Sequence, residues 1–225
     1  MTGALPAPTL LKRDLLGSVS RISGARDEHG GRGFIIERNT RDARWWLKFV
    51  ARWLAHREAR ALQALQGISG VPRLIDWDGA RLQRSWIDGR PMHHARPRDR
   101  AYYREALRLL RRLHAAGVVH NDLAKEPNWL VAPDGSPALI DFQLASRPRH
   151  RGRRFRTLAY DDLRHLLKHK RTYCPEALTS RERAILARRS CPAATWMRTG
   201  KPVYLFVTRR VLGWSDREGA GDRGA

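Results

Sequence analysis

An aspartate inside an apolar run is the feature that most constrains this chain. Asp141 stands within "ALIDF", where aspartate is a poor strand residue. A carboxylate enclosed by apolar neighbours costs free energy unless it has partners, so packing alone is a weak reason for it. Upstream, "VVHNDLAKEPNWLV" brings His120, Asp122 and Asn128 into one loop flanked by apolar residues. Two acidic positions in neighbouring loops predict a site whose chemistry uses carboxylates.

The net charge narrows the class of partner. The 225 residues include 44 Lys and Arg against 22 Asp and Glu, a formal net charge of +22. Such an excess favours anionic partners: nucleic acid, acidic lipid or phosphorylated substrates. An arginine-rich coat without a specific partner explains it equally well, because the arginines are spread along the whole chain.

Cysteine use and hydropathy predict a cytoplasmic protein. The N-terminal stretch lacks the apolar core of a secretory signal, and no run approaches the roughly 20 apolar residues of a membrane span. Cys174 and Cys191 have no metal-like spacing, and free thiols fit this chain better than a disulfide. The late segment "VYLFVTRRVLGW" is expected to dock on the core, with a membrane surface as the alternative.

Periodicity divides the chain into a sheet-rich first part and a helical second part. Strand patterns occupy "DLLGSVSRISG", "FIIERN" and "WWLKFV", and a helix then runs to about Gly67. A hairpin around Asp78-Gly79 completes the first part. The predicted fold class is α+β, with a nucleotide-binding lobe over 9–90, a reduced helical lobe over 91–215 and a disordered tail over 216–225.

The second part begins with a helix over "RDRAYYREALRLLRRLHAAG". A hairpin with an Asp134-Gly135 turn, an arginine-rich loop over Arg147–Arg156 and two further helices follow, around 160–170 and 180–189. Four tryptophans are expected to pack in the core of the sheet lobe: Trp45, Trp46, Trp53 and Trp77.

Taken in order, these features resemble the protein-kinase-like superfamily. "HNDLAKEPN" resembles the catalytic loop and "IDFQ" the metal-binding DFG segment. "WWLKFV" resembles the third strand with its phosphate-pairing lysine, and "HREARAL" the following helix with its paired glutamate. "SWIDGRPM" resembles the hinge, and "DDLRHLLKHK" the helix whose aspartate, here Asp162, braces the catalytic loop. The chain looks closest to small bacterial serine/threonine kinases of the RIO-like group and to lipopolysaccharide-core kinases.

The resemblance implies ATP and Mg²⁺ as cofactors and gives residues their roles. Asp122 would be the catalytic base, and Asp141 with Asn128 would supply the oxygen ligands that Mg²⁺ prefers. Lys48, held in place by Glu58, would neutralise the nucleotide phosphates. The adenine would lie against the hinge, and flexible glycines would cover the phosphates. These binding residues are Ser85, Trp86 and Ile87 for the hinge, and Gly30, Gly31 and Gly33 for the glycines.

The sequence departs from the kinase scheme at four points. The step from Asp122 to Asn128 is six residues, one longer than in the kinase pattern. Lys125 lies in that loop and would reach the transferring phosphate as a second catalytic residue, with a solvent-exposed lysine as the alternative. Gln143 replaces the glycine of DFG, and no G-x-G-x-x-G motif precedes the lysine strand. No A-P-E motif follows, so the docking platform for peptide substrates is expected to be truncated or absent.

The expected activity is ATP-dependent phosphorylation of a protein serine or threonine hydroxyl. A kinase for a sugar hydroxyl of the lipopolysaccharide core, peripheral at the inner membrane, is the first alternative. A nucleotide-binding regulator without catalysis, associated with RNA, is the second. The cations of Arg147–Arg156 would favour an acidic or phosphorylated protein, RNA, or anionic lipid and lipopolysaccharide, although a solvated basic loop explains them too. The sequence leaves the oligomeric state open.

Overall fold

The computed structural model describes residues 8–26 and 32–188. The first part is an antiparallel sheet in the order β1-β2-β3-β5-β4. Its strands are β1 (Thr9–Asp14), β2 (Gly17–Arg26), β3 (Arg32–Asn39), β4 (Leu74–Trp77) and β5 (Arg81–Ser85). Arg38 of β3 lies opposite Val19 of β2 on one side and Leu82 of β5 on the other. Strand β3 is therefore the middle of the sheet, with both of its edges paired.

A two-residue turn, Leu15 and Leu16, joins β1 to β2. Gly17 ends this turn with φ +127°, and a Cβ there would lie 2.2 Å from the carbonyl oxygen of Asn39. Only glycine fits such a close approach. The turn is thereby packed directly onto the end of β3.

The predicted hairpin around Asp78-Gly79 is confirmed as the connection from β4 to β5. The Asp78 carboxylate accepts hydrogen bonds from the backbone N–H groups of Ala80 and Arg81, at 2.8 and 2.6 Å. These bonds lower the pKa of Asp78 to about 2. The short polar side chain thus fixes the turn by satisfying the backbone groups that the turn exposes.

Helix α1 (Lys48–Ala64) packs against the sheet. The prediction of a strand over "WWLKFV" is wrong, because residues 45–47 form a 3₁₀ turn and Lys48 begins the helix. No strand can be added beside β3, since β2 and β5 already pair with both of its edges. The buried face of the helix starts early and is mostly small, consisting of Ala51, Ala55, Glu58, Ala59, Ala61 and Leu62.

The second part combines a small sheet with helices. Its strands are β6 (Arg90–Pro91), β7 (Trp129–Val131) and β8 (Pro137–Leu139), and its helices are α2 (Met92–Ala95), α3 (Arg100–Ala115), α4 (Arg153–Tyr173) and α5 (Ser180–Ala187). Helix α4 starts within the stretch predicted as an arginine-rich loop, so only residues 147–152 of that stretch are irregular. No described helix is both long enough and apolar enough to cross a membrane.

One apolar core joins the two parts. Leu62 of α1 and Leu65 directly after this helix belong to the same buried cluster as Leu109 and Leu113 of α3 and Phe142. Helix α3 provides a continuous apolar face because its leucines recur at helical spacing, and Asp99 caps its first turn. The catalytic-type loop and the strand before Asp141 are built on this core.

The fold class is confirmed: an α+β chain with an antiparallel N-terminal sheet, one packed helix and a reduced helical second part. The lobe boundary near residue 90 stays a prediction, and the predicted tail over 216–225 lies outside the described residues. So do Cys191 and the "VYLFVTRRVLGW" segment, whereas Cys174 is a buried free thiol.

The prediction that the tryptophans pack in the core is wrong for three of them: Trp45 is 83% exposed, and Trp46 and Trp53 are each 47% exposed.

Candidate active site

The loop that follows α3 is held by one buried aspartate. Asp162 of α4 accepts hydrogen bonds from the backbone N–H groups of His120 and Asn121, at 2.8 and 3.0 Å. His114 Nε2 lies 3.3 Å from the same carboxylate. Asn121 has φ +66°, a left-handed conformation that asparagine adopts more readily than most other residues. The bracing role predicted for Asp162 is therefore confirmed by its contacts.

His120 packs beneath this loop. Its side chain is fully buried, and its Nε2 donates to the carbonyl oxygen of Ile140 at 3.0 Å. Its ring also packs against that of Phe142 in a tilted arrangement, with centroids 4.7 Å apart. His120 thus connects the loop to the residues on both sides of Asp141.

The structure brings Asp122, Lys125 and Asn128 together. Lys125 Nζ lies 3.0 Å from Asp122 Oδ2. Asn128 Nδ2 donates to the backbone oxygen of Asp122 at 2.8 Å and to its Oδ2 at 3.1 Å. The longer loop therefore still brings Asn128 beside Asp122, and residues 126–128 form a 3₁₀ turn.

Asp141 is joined to this loop through the backbone. Ile140 N–H donates to the carbonyl oxygen of Asn128 at 3.0 Å. Asp141 itself has φ +64°, and its Oδ1 accepts a hydrogen bond from Gln143 at 2.8 Å. The residue that replaces the DFG glycine thus orients the carboxylate.

The electrostatic environment keeps Asp141 ionised. Burial raises the pKa of this carboxyl, but Arg38, the hydrogen bond from Gln143, Arg84 and His120 together outweigh it, and the net pKa lies below its ordinary value. Because a lowered pKa means that the charged form is favoured, Asp141 is an anion at neutral pH.

The glutamate of α1 has two arginine partners. Glu58 is fully buried, and its carboxylate oxygens lie 3.4 Å from Arg38 Nε and 3.2 Å from Arg84 Nε. These contacts are ion pairs without the alignment of good hydrogen bonds, since both oxygens lack a hydrogen-bond partner. Two guanidinium groups and two carboxylates, Glu58 and Asp141, therefore form a cluster with balanced charge.

The expected pairing of Lys48 with Glu58 is not what the structure shows. Lys48 is the first residue of α1, ten residues before Glu58, whereas Arg38 reaches Glu58 from the middle strand. Sequence reasoning missed Arg38 and Arg84, although a signal for both was present. Arg38 stands two residues after the buried Ile36 in β3, and Arg84 stands two residues after the buried Leu82 in β5. Since alternate residues of a strand share a face, each arginine lies on the same face as its buried neighbour.

Of the three glycines predicted to cover phosphates, the structure describes only Gly33, which lies at the end of β3 that is far from Arg38. Gly30 and Gly31 fall between β2 and β3, outside the described residues, and Gly33 lies in β3. Gly33 precedes Arg38 by five residues, about 17 Å along an extended strand. The turn at the same end as Arg38 is the one before Gly17, since Ser18 pairs with Asn39.

The first two of the predicted hinge residues, Ser85 and Trp86, still hydrogen-bond to the neighbouring strands. Ser85 pairs with Ile35, and its N–H donates to the carbonyl oxygen of Arg73 at 2.9 Å. Trp86 N–H donates to the carbonyl oxygen of Phe34, also at 2.9 Å. The backbone donors of Ser85 and Trp86 are therefore already used within the sheet, and Ile87 is the first of the three predicted residues beyond it.

The segment after Asp141 is short and basic. It runs as a 3₁₀ turn, a single bridge from Ser146 to Val119 and a few irregular residues before α4 begins at Arg153. Its arginine side chains at 149, 151, 153 and 154 are exposed. No helix or strand intervenes between this turn and α4 that could serve as a platform for a peptide.

The oxygen atoms of Asp141 and Asn128 suit a magnesium ion that is also bound by a nucleotide. Within residues 8–26 and 32–188, no group of three or more His, Cys, Asp or Glu could hold a metal ion by itself. Asp141 offers an ionised carboxylate, and Asn128 uses its NH₂ group on Asp122, which leaves its amide oxygen for a cation. Hard cations take such oxygens and complete their shell with phosphate and water.

Comparison with known proteins identifies the fold. No protein-family model matches the sequence, and no curated protein matches it. Among solved structures, the chain is similar to the Rio2 kinase from Chaetomium thermophilum, with a TM-score of 0.56 and 17% sequence identity. The similarity covers 79% of this chain and 62% of that one, so the chain spans about three fifths of the Rio2 structure. At this identity the match shows the protein-kinase-like fold.

Proposed function

We propose that this chain is an ATP-dependent phosphotransferase that acts on an alcohol group. The observation that carries the proposal is the link between two carboxylates: Asn128 binds Asp122 through its side chain and the strand entering Asp141 through its backbone. Phosphoryl transfer asks a protein mainly for position and charge neutralisation, and this arrangement supplies both.

Each residue has a role that its contacts support. Asp122 accepts the proton of the attacking hydroxyl, and Lys125 at 3.0 Å offers a cation for the transferring phosphate. Arg38 takes the phosphate-binding position expected of Lys48, since a guanidinium binds phosphate oxygens in a bidentate manner. Asp141 and Asn128 would hold the magnesium ion, which neutralises charge between the phosphates when bound.

The leading acceptor is a protein serine or threonine hydroxyl. The alternative acceptor, a sugar hydroxyl of the lipopolysaccharide core, is favoured by one feature: the short chain between Asp141 and α4 offers no peptide platform. A regulator without catalysis is favoured by another, because Asn128 and Lys125 both engage the Asp122 oxygen that would act as base.

A phosphate-transfer assay with γ-labelled ATP tests these alternatives. Wild type, Asp122→Asn and the control Asp99→Asn are each incubated with a basic protein mixture or with lipopolysaccharide lacking core phosphate. We expect Asp122→Asn to lose about 10²- to 10⁴-fold in rate, the usual contribution of a general base. Asp99→Asn should retain the wild-type rate, because asparagine caps α3 as well as aspartate does. ATP binding without transfer to either acceptor would contradict the proposal and leave the regulator.

A further inference from the structure

The 3₁₀ turn over 45–47 and the start of α1 together expose a group of large apolar side chains. Trp45 is 83% exposed and Phe49 80%, and Trp46, Trp53 and Val50 are each between 39% and 47% exposed. We call these five residues the aromatic face of α1. Single apolar residues are common on protein surfaces, but a contiguous group of this size marks an interaction site.

The side of α1 that packs on the rest of the protein lies away from this group. The opposite side of α1, with Ala51, Ala55 and Leu62, is the side that packs against the sheet and the core. Phe49 and Trp53 are one helical turn apart and so share the outward side. The helix is therefore apolar on two sides, and only one of them is covered within the described residues.

Cations border the aromatic face. Arg52 and Arg60 are exposed on the same helix. The guanidinium of Arg57 lies 4.6 Å from the ring centre of Trp53. Burial and then Arg154 of α4 lower the pKa of Arg57. The arginines of α1 thus give the aromatic face a basic border.

The nearby acidic side chains are engaged elsewhere. Asp42 Oδ2 accepts hydrogen bonds from Ser18 and Asn39, at 2.6 and 3.2 Å. Asp78 pairs with Arg81 at 3.2 Å and with Arg41 at 3.5 Å. Asp42 keeps its charge, since its donors are neutral, but Arg52, Arg57 and Arg60 of α1 outnumber it. The resulting excess of positive charge matches an anionic partner.

We propose that the aromatic face of α1 docks on an anionic membrane surface. Helices that bind at the surface of such membranes combine tryptophan and phenylalanine, which enter the interface, with arginine around them. Each arginine near a negatively charged leaflet adds attraction. Single-stranded nucleic acid also combines stacking and phosphate contacts, but Val50 has no ring to stack on a base, whereas a lipid interface takes aliphatic and aromatic groups alike.

The proposal concerns residues separate from the arginine segment that follows Asp141, and it goes beyond the proposed phosphotransfer. Arg57 donates hydrogen bonds to the carbonyl oxygens of Leu144 and Ala145, at 2.7 and 3.0 Å. Docking through α1 would therefore hold the site of Asp122 and Asp141 close to the membrane surface. An acceptor attached to lipid would reach that site by diffusion in two dimensions.

Vesicle binding tests the proposal without any activity measurement. The full chain is sedimented with vesicles of phosphatidylcholine alone or mixed with phosphatidylglycerol, and tryptophan quenching by brominated lipid is recorded. We expect binding to the anionic vesicles that falls roughly tenfold or more in Trp45→Ser/Phe49→Ser, because these rings supply most of the exposed apolar area. Arg52→Glu/Arg60→Glu should weaken binding to anionic vesicles to a similar degree and leave neutral vesicles unaffected.

The control is Leu10→Ser/Leu11→Ser, which removes two exposed apolar side chains from β1 and should leave vesicle binding intact. Circular dichroism melting confirms that every variant folds, so that loss of binding is not loss of structure. Absence of vesicle binding by the wild type would overturn the proposal, as would equal binding by Trp45→Ser/Phe49→Ser. Two other outcomes would also overturn it. In the first, a single-stranded RNA oligomer binds through these rings and the vesicles do not. In the second, sedimentation velocity shows a dimer that these substitutions dissociate.

Discussion

At the scale of single residues, the site depends on which cation meets Glu58. Arg38 reaches it from the middle of the sheet, and Arg84 reaches it from the neighbouring strand. Burial lowers the pKa of Arg84, and Glu58 opposes that shift. A glutamate with two cations can keep one of them in place while the other turns to a ligand, because the remaining pair still avoids an isolated buried charge.

This assignment predicts opposite behaviour for two cations. Arg38→Met should weaken ATP binding about ten- to hundredfold, since a charged hydrogen bond to phosphate contributes roughly 1.5–3 kcal/mol. Lys48→Met should change the ATP dissociation constant by less than about twofold. Isothermal titration with ATP and Mg²⁺ measures both variants. A large effect of Lys48→Met with no effect of Arg38→Met would restore the lysine assignment.

At the scale of elements, α1 is fastened to the segment after Asp141 by one side chain. The Arg57 guanidinium donates to the backbone oxygens of Leu144 and Ala145, while its helix packs on the sheet. Asn121 donates to the same Leu144 oxygen at 2.8 Å. Helix α1, the catalytic-type loop and the Asp141 segment therefore meet at one carbonyl group.

We predict that Arg57→Ala loosens this junction. Hydrogen exchange of the amides at residues 143–146 should become faster, and phosphate transfer should fall about tenfold, because loss of a charged hydrogen bond to a backbone oxygen removes roughly 1.5 kcal/mol. Arg60→Ala, an exposed arginine of the same helix, is the matched control. Unchanged exchange in Arg57→Ala would show that packing alone holds the segment.

At the scale of the whole molecule, buried histidines connect stability to pH. Burial lowers the pKa of His165 to about 4 from 6.5, and Lys168, His169 and Arg164 add to the shift while Asp162 opposes it. Burial lowers the pKa of His169 as well. The unfolded chain therefore binds protons that the folded chain does not, between about pH 6.5 and pH 4.

The free energy of unfolding should consequently fall as pH decreases through this range. His165 alone should account for roughly 1–3 kcal/mol, allowing for its partial exposure to solvent. Urea unfolding at neutral and at mildly acidic pH should show a smaller loss of stability for His165→Gln than for the wild type. The exposed His150→Gln should behave as the wild type, and an acid loss unchanged by His165→Gln would contradict the assignment.

The sequence by itself determined the features that depend on neighbours along the chain. Hydrogen bonds of Asp78 to the next residues fix the β4–β5 turn, and apolar spacing fixes α3, so both could be predicted. The loop from His120 to Asn128 and the Asp141 segment were likewise evident, because their polar residues interrupt apolar runs.

Only the tertiary structure decided what depends on residues far apart in the chain. The stretch over 45–50 has strand-forming residues, yet both edges of β3 were already taken, so it became a turn and a helix with exposed rings. The partner of Glu58 depended on the register between β3 and β5, which turns Arg38 and Arg84 to the helix and leaves Lys48 aside. Short-range periodicity specifies elements, whereas the position of a buried charge is set by the pairing of strands and the packing across them.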